Sequence, residues 1–328
     1  MTARRRRRGR RRGAGGLAAL IALLLAPAAV GAALWVALEE NGGDAASASL
    51  PAGVPAGPVR SVGDPVLADQ PASAVRLDGV DSFSVRLLRA PGAGLVFDLD
   101  SGEVLWRRVP LRILPMASLT KIMTALVVTE RTRPTDAVRI SPAALRYSGS
   151  GVGVLPKGRR VKLETLLNGL LIVSGNDAAI ALAVHVAGSE ERFVNLMNRR
   201  ARELGLRCTR FSSSHGLESG NRSCAADLAA LARLAMKRPR IARIARRPQA
   251  VFRFPVKGGK LYLTGHNPLQ RIGYAGTLGL KTGYTDDAGR CFVGVARRQG
   301  RTLGVVLLNS FDPARQAPRL LDLGFRFG

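Results

Sequence analysis

The hydrophobic period of this chain switches twice, and the switch limits the folds open to it. From about residue 84 the pattern has a strand period. Gly94-Leu95-Val96-Phe97-Asp98-Leu99 and Glu103-Val104-Leu105-Trp106 flank Asp100-Ser101-Gly102, which predicts a β-hairpin. The period then becomes helical. Leu119, Ile122, Met123, Leu126 and Val127 predict a helix over 118–131, with further helices over 163–173, 177–186, 190–204 and 225–236. Strands return at 251–255 and 261–264 around Lys257-Gly258-Gly259-Lys260. Another pair, 291–296 and 302–308, brackets Arg298-Gln299-Gly300, and a last helix covers 313–323. There is no internal repeat. Strands, then helices, then strands predict an α+β fold: an antiparallel sheet drawn from both ends of the domain, with a helical lobe inserted between.

Upstream of residue 84 the chain reads differently. Residues 1–13 form an Arg-rich tail holding Arg4 to Arg8 and Arg10 to Arg12, and residues 14–38 carry no charge. An uncharged stretch of that length predicts a transmembrane anchor or signal segment. The Arg cluster would stay cytoplasmic, which sends the remainder outside. Residues 39–83 are rich in Ala, Gly, Pro, Ser and Val and predict a flexible linker, leaving 84–328 as the folded domain. The expected location is therefore the extracytoplasmic face of the membrane, or beyond it if the segment is cleaved.

With 50 Lys and Arg against 23 Asp and Glu, the formal net charge is +27. Such a balance raises nucleic acid as a partner. Against it, eight of the cations sit in one N-terminal run, and the rest are dispersed without aromatic interleaving or zinc-ligand spacing. A wall polymer or lipid surface accounts for the charge equally well, so no nucleic-acid partner is expected. The three His and three Cys (208, 224, 291) show no metal-ligand spacing, so neither a metal nor a cofactor is expected. Cys208 and Cys224 bracket a polar loop that a disulfide would close in an oxidising compartment, while Cys291 lies in an apolar strand.

Lysine is scarce: seven, against 43 Arg. Arginine stays protonated, so only lysine can act as a base near neutral pH. Two of the seven fall in an ordered set, Ser118-Leu119-Thr120-Lys121, Ser174-Gly175-Asn176 and Lys281-Thr282-Gly283. Ser118 begins a predicted helix, whose free N–H groups favour negative charge at its oxygen. Lys121 lies one turn on, on the same face, where its amine can reach the Ser118 hydroxyl. Desolvation, or crowding by Lys281, would let it act as a base. Ser174-Gly175-Asn176 marks a helix break, placing Ser174 to relay a proton and Asn176 to bind a substrate amide. Lys281 and Thr282 suit a carboxylate, Gly283 permits close backbone approach, and the N–H of Tyr284 can join that of Ser118 as an oxyanion hole. Each piece alone has a bland reading as a cap or turn. A decoy, Ser219-Gly220-Asn221, lies in a polar loop with no apolar helix leading into it.

The segments Ala117 to Leu126, Val173 to Ala178, Ser214-His215-Gly216-Leu217 and Lys281 to Thr285 resemble the serine-type D-alanyl-D-alanine carboxypeptidases, the low-molecular-mass penicillin-binding proteins of the peptidase S11 type. The resemblance runs from about residue 84 to the C-terminus. It implies the β-lactamase/transpeptidase-like fold and acylation of Ser118 by peptidoglycan stem peptides ending in D-Ala-D-Ala. β-Lactam antibiotics would be inhibitors. Lys121 would be the base, Ser174 a proton relay and Lys281 the contact for the terminal carboxylate. The rivals are a DD-endopeptidase, a β-lactamase of the same fold and a non-catalytic wall-binding protein. A β-lactamase needs a glutamate-bearing deacylation loop that is not evident between Asn176 and Lys281.

Overall fold

The structure is a computed structural model describing residues 74–328. The tail, the 14–38 segment and most of the expected linker lie outside the described residues. In chain order, β1 (Ala93–Asp98) and β2 (Val104–Arg108) form the first hairpin, followed by the short β3 (Leu114–Pro115). A 3-10 turn, Ala117–Thr120, runs into α1 (Lys121–Arg131). Next come β4 (Ala137–Arg139), α2 (Pro142–Leu145) and β5 (Arg160–Lys162), then α3 (Leu163–Ile172), α4 (Asn176–Ala187) and α5 (Glu190–Glu203). The two-residue β6 (Arg222–Ser223) precedes α6 (Ala225–Met236) and α7 (Pro239–Ala245). The chain finishes with β7 (Gln249–Arg253), β8 (Lys260–Thr264), α8 (Pro268–Arg271), β9 (Thr277–Thr285), β10 (Gly289–Arg298), β11 (Arg301–Ser310) and α9 (Pro313–Phe327).

The main sheet has the order β2-β1-β11-β10-β9, with every neighbour antiparallel. Strands from the two ends of the domain thus meet at β1 and β11, where Leu95 faces Val306. Side chains alternate between two packed faces, as a period of two requires. Leu95, Phe97, Val293, Val306 and Leu308 join the core with α1 and α6. Val96, Val305, Leu307 and Phe292 pack under α9. A sheet covered on both faces explains why β10 and β11 read as near-continuous apolar runs.

The helical lobe between β2 and β9 carries the rest of the core. Its α3 and α4 are adjacent, broken at residues 173–175, because Ser174 takes a left-handed backbone (φ 63°) that no helix continues. Packing begins earlier than the sequence pattern suggests. Val75 and Phe83 are buried, Arg76 N–H donates to the Gly102 carbonyl, and Arg107 pairs with Asp81 at 2.7 Å. Buried Arg233 also donates to the carbonyls of Ala74, Leu99 and Asp100. Residues 74–83, expected in the linker, are a strap on the domain. Among the described residues no helix is long and apolar enough to cross a membrane. Cys208 and Cys224 are disulfide-bonded, and Cys291 is a buried free thiol.

Candidate active site

Four elements converge on Ser118. The 3-10 turn presents it, and this turn is strained: Ala117 sits at φ 48°. Two glycines let neighbours close in on it. A Cβ on Gly216 would lie 2.1 Å from the Ala117 carbonyl oxygen, and one on Gly283 would lie 3.0 Å from the Ser118 nitrogen. The 212–217 loop and the edge strand β9 therefore both press directly on the nucleophile turn.

Lys121 opens α1 and is completely buried. Its Nζ lies 3.0 Å from Ser118 Oγ, 2.7 Å from Asn176 Oδ1 and 2.7 Å from the His215 carbonyl oxygen. Asn176 is fixed in that sense because its Nδ2 donates to the Ser148 carbonyl. Burial foremost, then the positive charge of Lys281, holds the Lys121 pKa well below that of a solvated lysine, against the opposing Asp177 and Glu218. A neutral amine has two N–H bonds and one lone pair. The Asn176 and His215 oxygens can only accept, so they take both N–H bonds. The lone pair is left facing the one partner able to donate, the Ser118 hydroxyl.

Lys281 lies within β9, opposite Val293, and is 2 % exposed. Burial lowers its pKa to about 7. Its Nζ donates to Ser174 Oγ at 2.9 Å and to the Thr282 carbonyl at 2.8 Å. Ser174 therefore hydrogen-bonds to Lys281. Asn176 ties Lys121 to the Ser148 carbonyl through its Oδ1 and one Nδ2–H, which leaves a second Nδ2–H at the cleft wall.

Ser118 opens onto two clefts that share Ser118, Ser150 and Tyr284. One, about 540 Å³, is lined by Ser174, Thr282, Gly283 and Phe292. The other, about 520 Å³, is lined by Asn176, Gly216, Leu217 and Asp286. Tyr284 is exposed at their rim. An extended chain can thus cross the nucleophile with a wall on each side.

The decoy has a structural role. Asn221 is fully buried; its Oδ1 accepts from the N–H groups of Ser212 and Ser213, and its Nδ2 donates to both their hydroxyls and to the Glu218 carbonyl. It staples the loop that supplies the His215 carbonyl. Sequence reasoning missed that carbonyl as a ligand of Lys121, since a backbone oxygen has no residue signature. It also missed Asp177, fully buried, which accepts from the N–H groups of Val152 and Gly153 and so fixes the cleft-lining 148–153 loop. Among the described residues one group has metal-like spacing, Cys208, Cys224 and Asp227. Its sulfurs are bonded to each other, and Asp227 accepts from Cys208 N–H and Thr209 Oγ1.

Residues 88–312 match the family Peptidase_S11, D-alanyl-D-alanine carboxypeptidase. The chain is 33 % identical over 273 residues to the D-alanyl-D-alanine carboxypeptidase DacF of Bacillus subtilis, covering 80 % of this chain and 69 % of that one. It is 38 % identical over 240 residues to DacB2 of Mycobacterium tuberculosis, covering 70 % and 81 %. A crystal structure of a D-alanyl-D-alanine carboxypeptidase from Mycobacterium tuberculosis superposes with a TM-score of 0.71 at 35 % identity, covering 76 % of this chain and 97 % of that one.

Proposed function

The chain belongs to the peptidase S11 family of D-alanyl-D-alanine carboxypeptidases, and on that premise we propose that it removes the terminal D-Ala of peptidoglycan stem pentapeptides through an acyl-enzyme on Ser118. The observation that carries the assignment is the buried Lys121 amine, with two fixed acceptors and its lone pair turned to Ser118 Oγ.

Lys121 takes the Ser118 proton as Oγ attacks the carbonyl carbon of the penultimate D-Ala. The N–H groups of Ser118 and Tyr284 receive the oxyanion. Lys281 and Thr282 hold the substrate's terminal carboxylate, which keeps the scissile bond in line with Ser118. Ser174 passes its proton to the departing D-Ala amine and takes one in return from Lys281, to which it is hydrogen-bonded. Water then attacks the ester, passing a proton through Ser174 back to Lys281, while Lys121 returns its proton to the departing Ser118 Oγ. A β-lactam amide opens by the same attack, but its amine remains tethered, so the adduct persists. The basic tail, the uncharged 14–38 segment and the Cys208–Cys224 disulfide support an exported enzyme held at the membrane by its N-terminus, next to the wall peptides it cleaves.

The test is incubation of residues 74–328 with a pentapeptide ending in D-Ala-D-Ala. D-Ala should appear, and should vanish with Ser118→Ala and with Lys121→Ala; release that survives Ser118→Ala removes the proposed nucleophile. Cutting of cross-linked dimers without D-Ala release would make the enzyme an endopeptidase, and benzylpenicillin turnover within seconds a β-lactamase.

A further inference from the structure

The Lys121 lone pair is aimed only while the His215 carbonyl stays in place, so what holds that carbonyl matters to the reaction. Hydrogen bonds reach its segment from several sides. Thr124 Oγ1, on α1, donates to the Ser214 carbonyl. Gly216 N–H donates to Ser213 Oγ, inside the Asn221 staple. The remaining anchor is ionic: Glu190, the first residue of α5, accepts with one carboxylate oxygen from both Ser214 N–H at 3.0 Å and Ser214 Oγ at 2.6 Å. These two bonds to a charged acceptor are the strong kind. They fix the residue immediately before the peptide carbonyl that Lys121 uses.

We propose that Glu190 is a positioning residue for the reaction, clamping Ser214 so that the His215 carbonyl takes one Lys121 N–H and leaves the lone pair on Ser118. The proposal rests on the assignment of Ser118 and Lys121 above. The same carboxylate lies 3.6 Å from His215 Nε2, Glu218 lies 3.8 Å from the same nitrogen, and Lys121 bonds the His215 backbone carbonyl. Burial lowers the His215 pKa against both carboxylates. The neutral ring is consistent with Glu190 acting through its hydrogen bonds to Ser214 and not through an ion pair. An anchor of this kind governs the rate of proton transfer more than substrate binding, since neither cleft is lined by Glu190.

The experiment measures acylation by a fluorescent penicillin at several concentrations, separating the limiting rate from the half-saturating concentration. For Glu190→Ala the limiting rate should fall about tenfold or more, as expected for a displaced catalytic group, with half-saturation unchanged. Glu190→Gln keeps an acceptor oxygen for both Ser214 donors and should recover to within about threefold of wild type. Ser214→Ala removes only the 2.6 Å bond and should give an intermediate rate, which keeps the test open should Glu190→Ala not fold. Wild-type limiting rates in Glu190→Ala, or in Ser214→Ala if Glu190→Ala does not fold, would overturn the proposal. So would a Gln variant as slow as Ala. If wild-type protein does not label at all, the Ser118 assignment fails and takes this proposal with it. Normal wild-type labelling with indifferent variants removes the Glu190 role alone.

Discussion

Gly216→Ala tests how the nucleophile turn is supported. Gly216 has φ +88°, a conformation that costs an L-residue about 1–2 kcal/mol. The added methyl would also meet the Ala117 carbonyl oxygen at 2.1 Å and Thr120 Oγ1 at 2.6 Å. The first contact is backbone and cannot be relieved by a rotamer, so the 3-10 turn or the loop must move, at an overpacking cost of about 1–3 kcal/mol. The sum is about 2–5 kcal/mol, or a fall in Tm of roughly 4–20 °C for a domain of this size. Relieving the overlap requires a shift of about 1 Å, and displacing Ser118 by that much should lower acylation about a hundredfold. A control isolates the steric part. Gly258, in the β7–β8 turn, has φ +85° with nothing within 4 Å of its added Cβ, so Gly258→Ala should lose about 1–2 kcal/mol and acylate normally. Thermal melts and penicillin-labelling kinetics on both variants decide the matter. Equal acylation in Gly216→Ala and Gly258→Ala would refute the idea that loop and turn are in rigid contact.

Lys281 should leave a signature in stability. Its folded pKa of about 7 is below the unfolded value, so the unfolded chain binds the extra proton between about pH 7 and 10.5. Burying the lysine therefore penalises the fold fully below pH 7, and stability is regained as pH rises through that window. Lys281→Met should flatten this slope in chemical denaturation measured from pH 6.5 to 10, and an unchanged slope would contradict the burial argument. Ser174→Ala should lower kcat about 10²- to 10⁴-fold, the range for loss of a general acid–base group, as read by D-Ala release. Opening the Cys208–Cys224 bridge, which spans 16 residues, with the paired Cys→Ser variant should cost about 3 kcal/mol in urea unfolding.

Much of the fold was legible because its elements are periodic and bounded by turns. The hairpins at β1–β2, β7–β8 and β10–β11 and the helices α3 to α6 follow from apolar spacing, and the α3–α4 break from Ser174-Gly175. The start of packing was not legible. Val75, Phe83 and Asp81 act singly through long-range contacts to the hairpin and to Arg233, without any period of their own. At the site, the sequence supplied Ser118, Lys121, Ser174, Asn176 and Lys281, because each contributes a side chain. The pairing pattern among them was hidden. Ser174 turned out to bond Lys281, and Asn176 Lys121, because the outcome depends on how far β9 and α4 approach α1. Backbone groups such as the His215 carbonyl could not be found from residue types at all. The decoy Asn221 shows the converse: a motif match whose six side-chain hydrogen bonds are all structural.

The account's central claim is that Lys121 loads Ser118. Intact-mass analysis after a brief exposure to benzylpenicillin, followed by peptide mapping, tests it most directly. The account predicts one adduct, carried on Ser118, absent in Ser118→Ala and strongly slowed in Lys121→Ala although that variant still folds. An adduct on another residue, or undiminished labelling of Ser118 without the Lys121 amine, would contradict it.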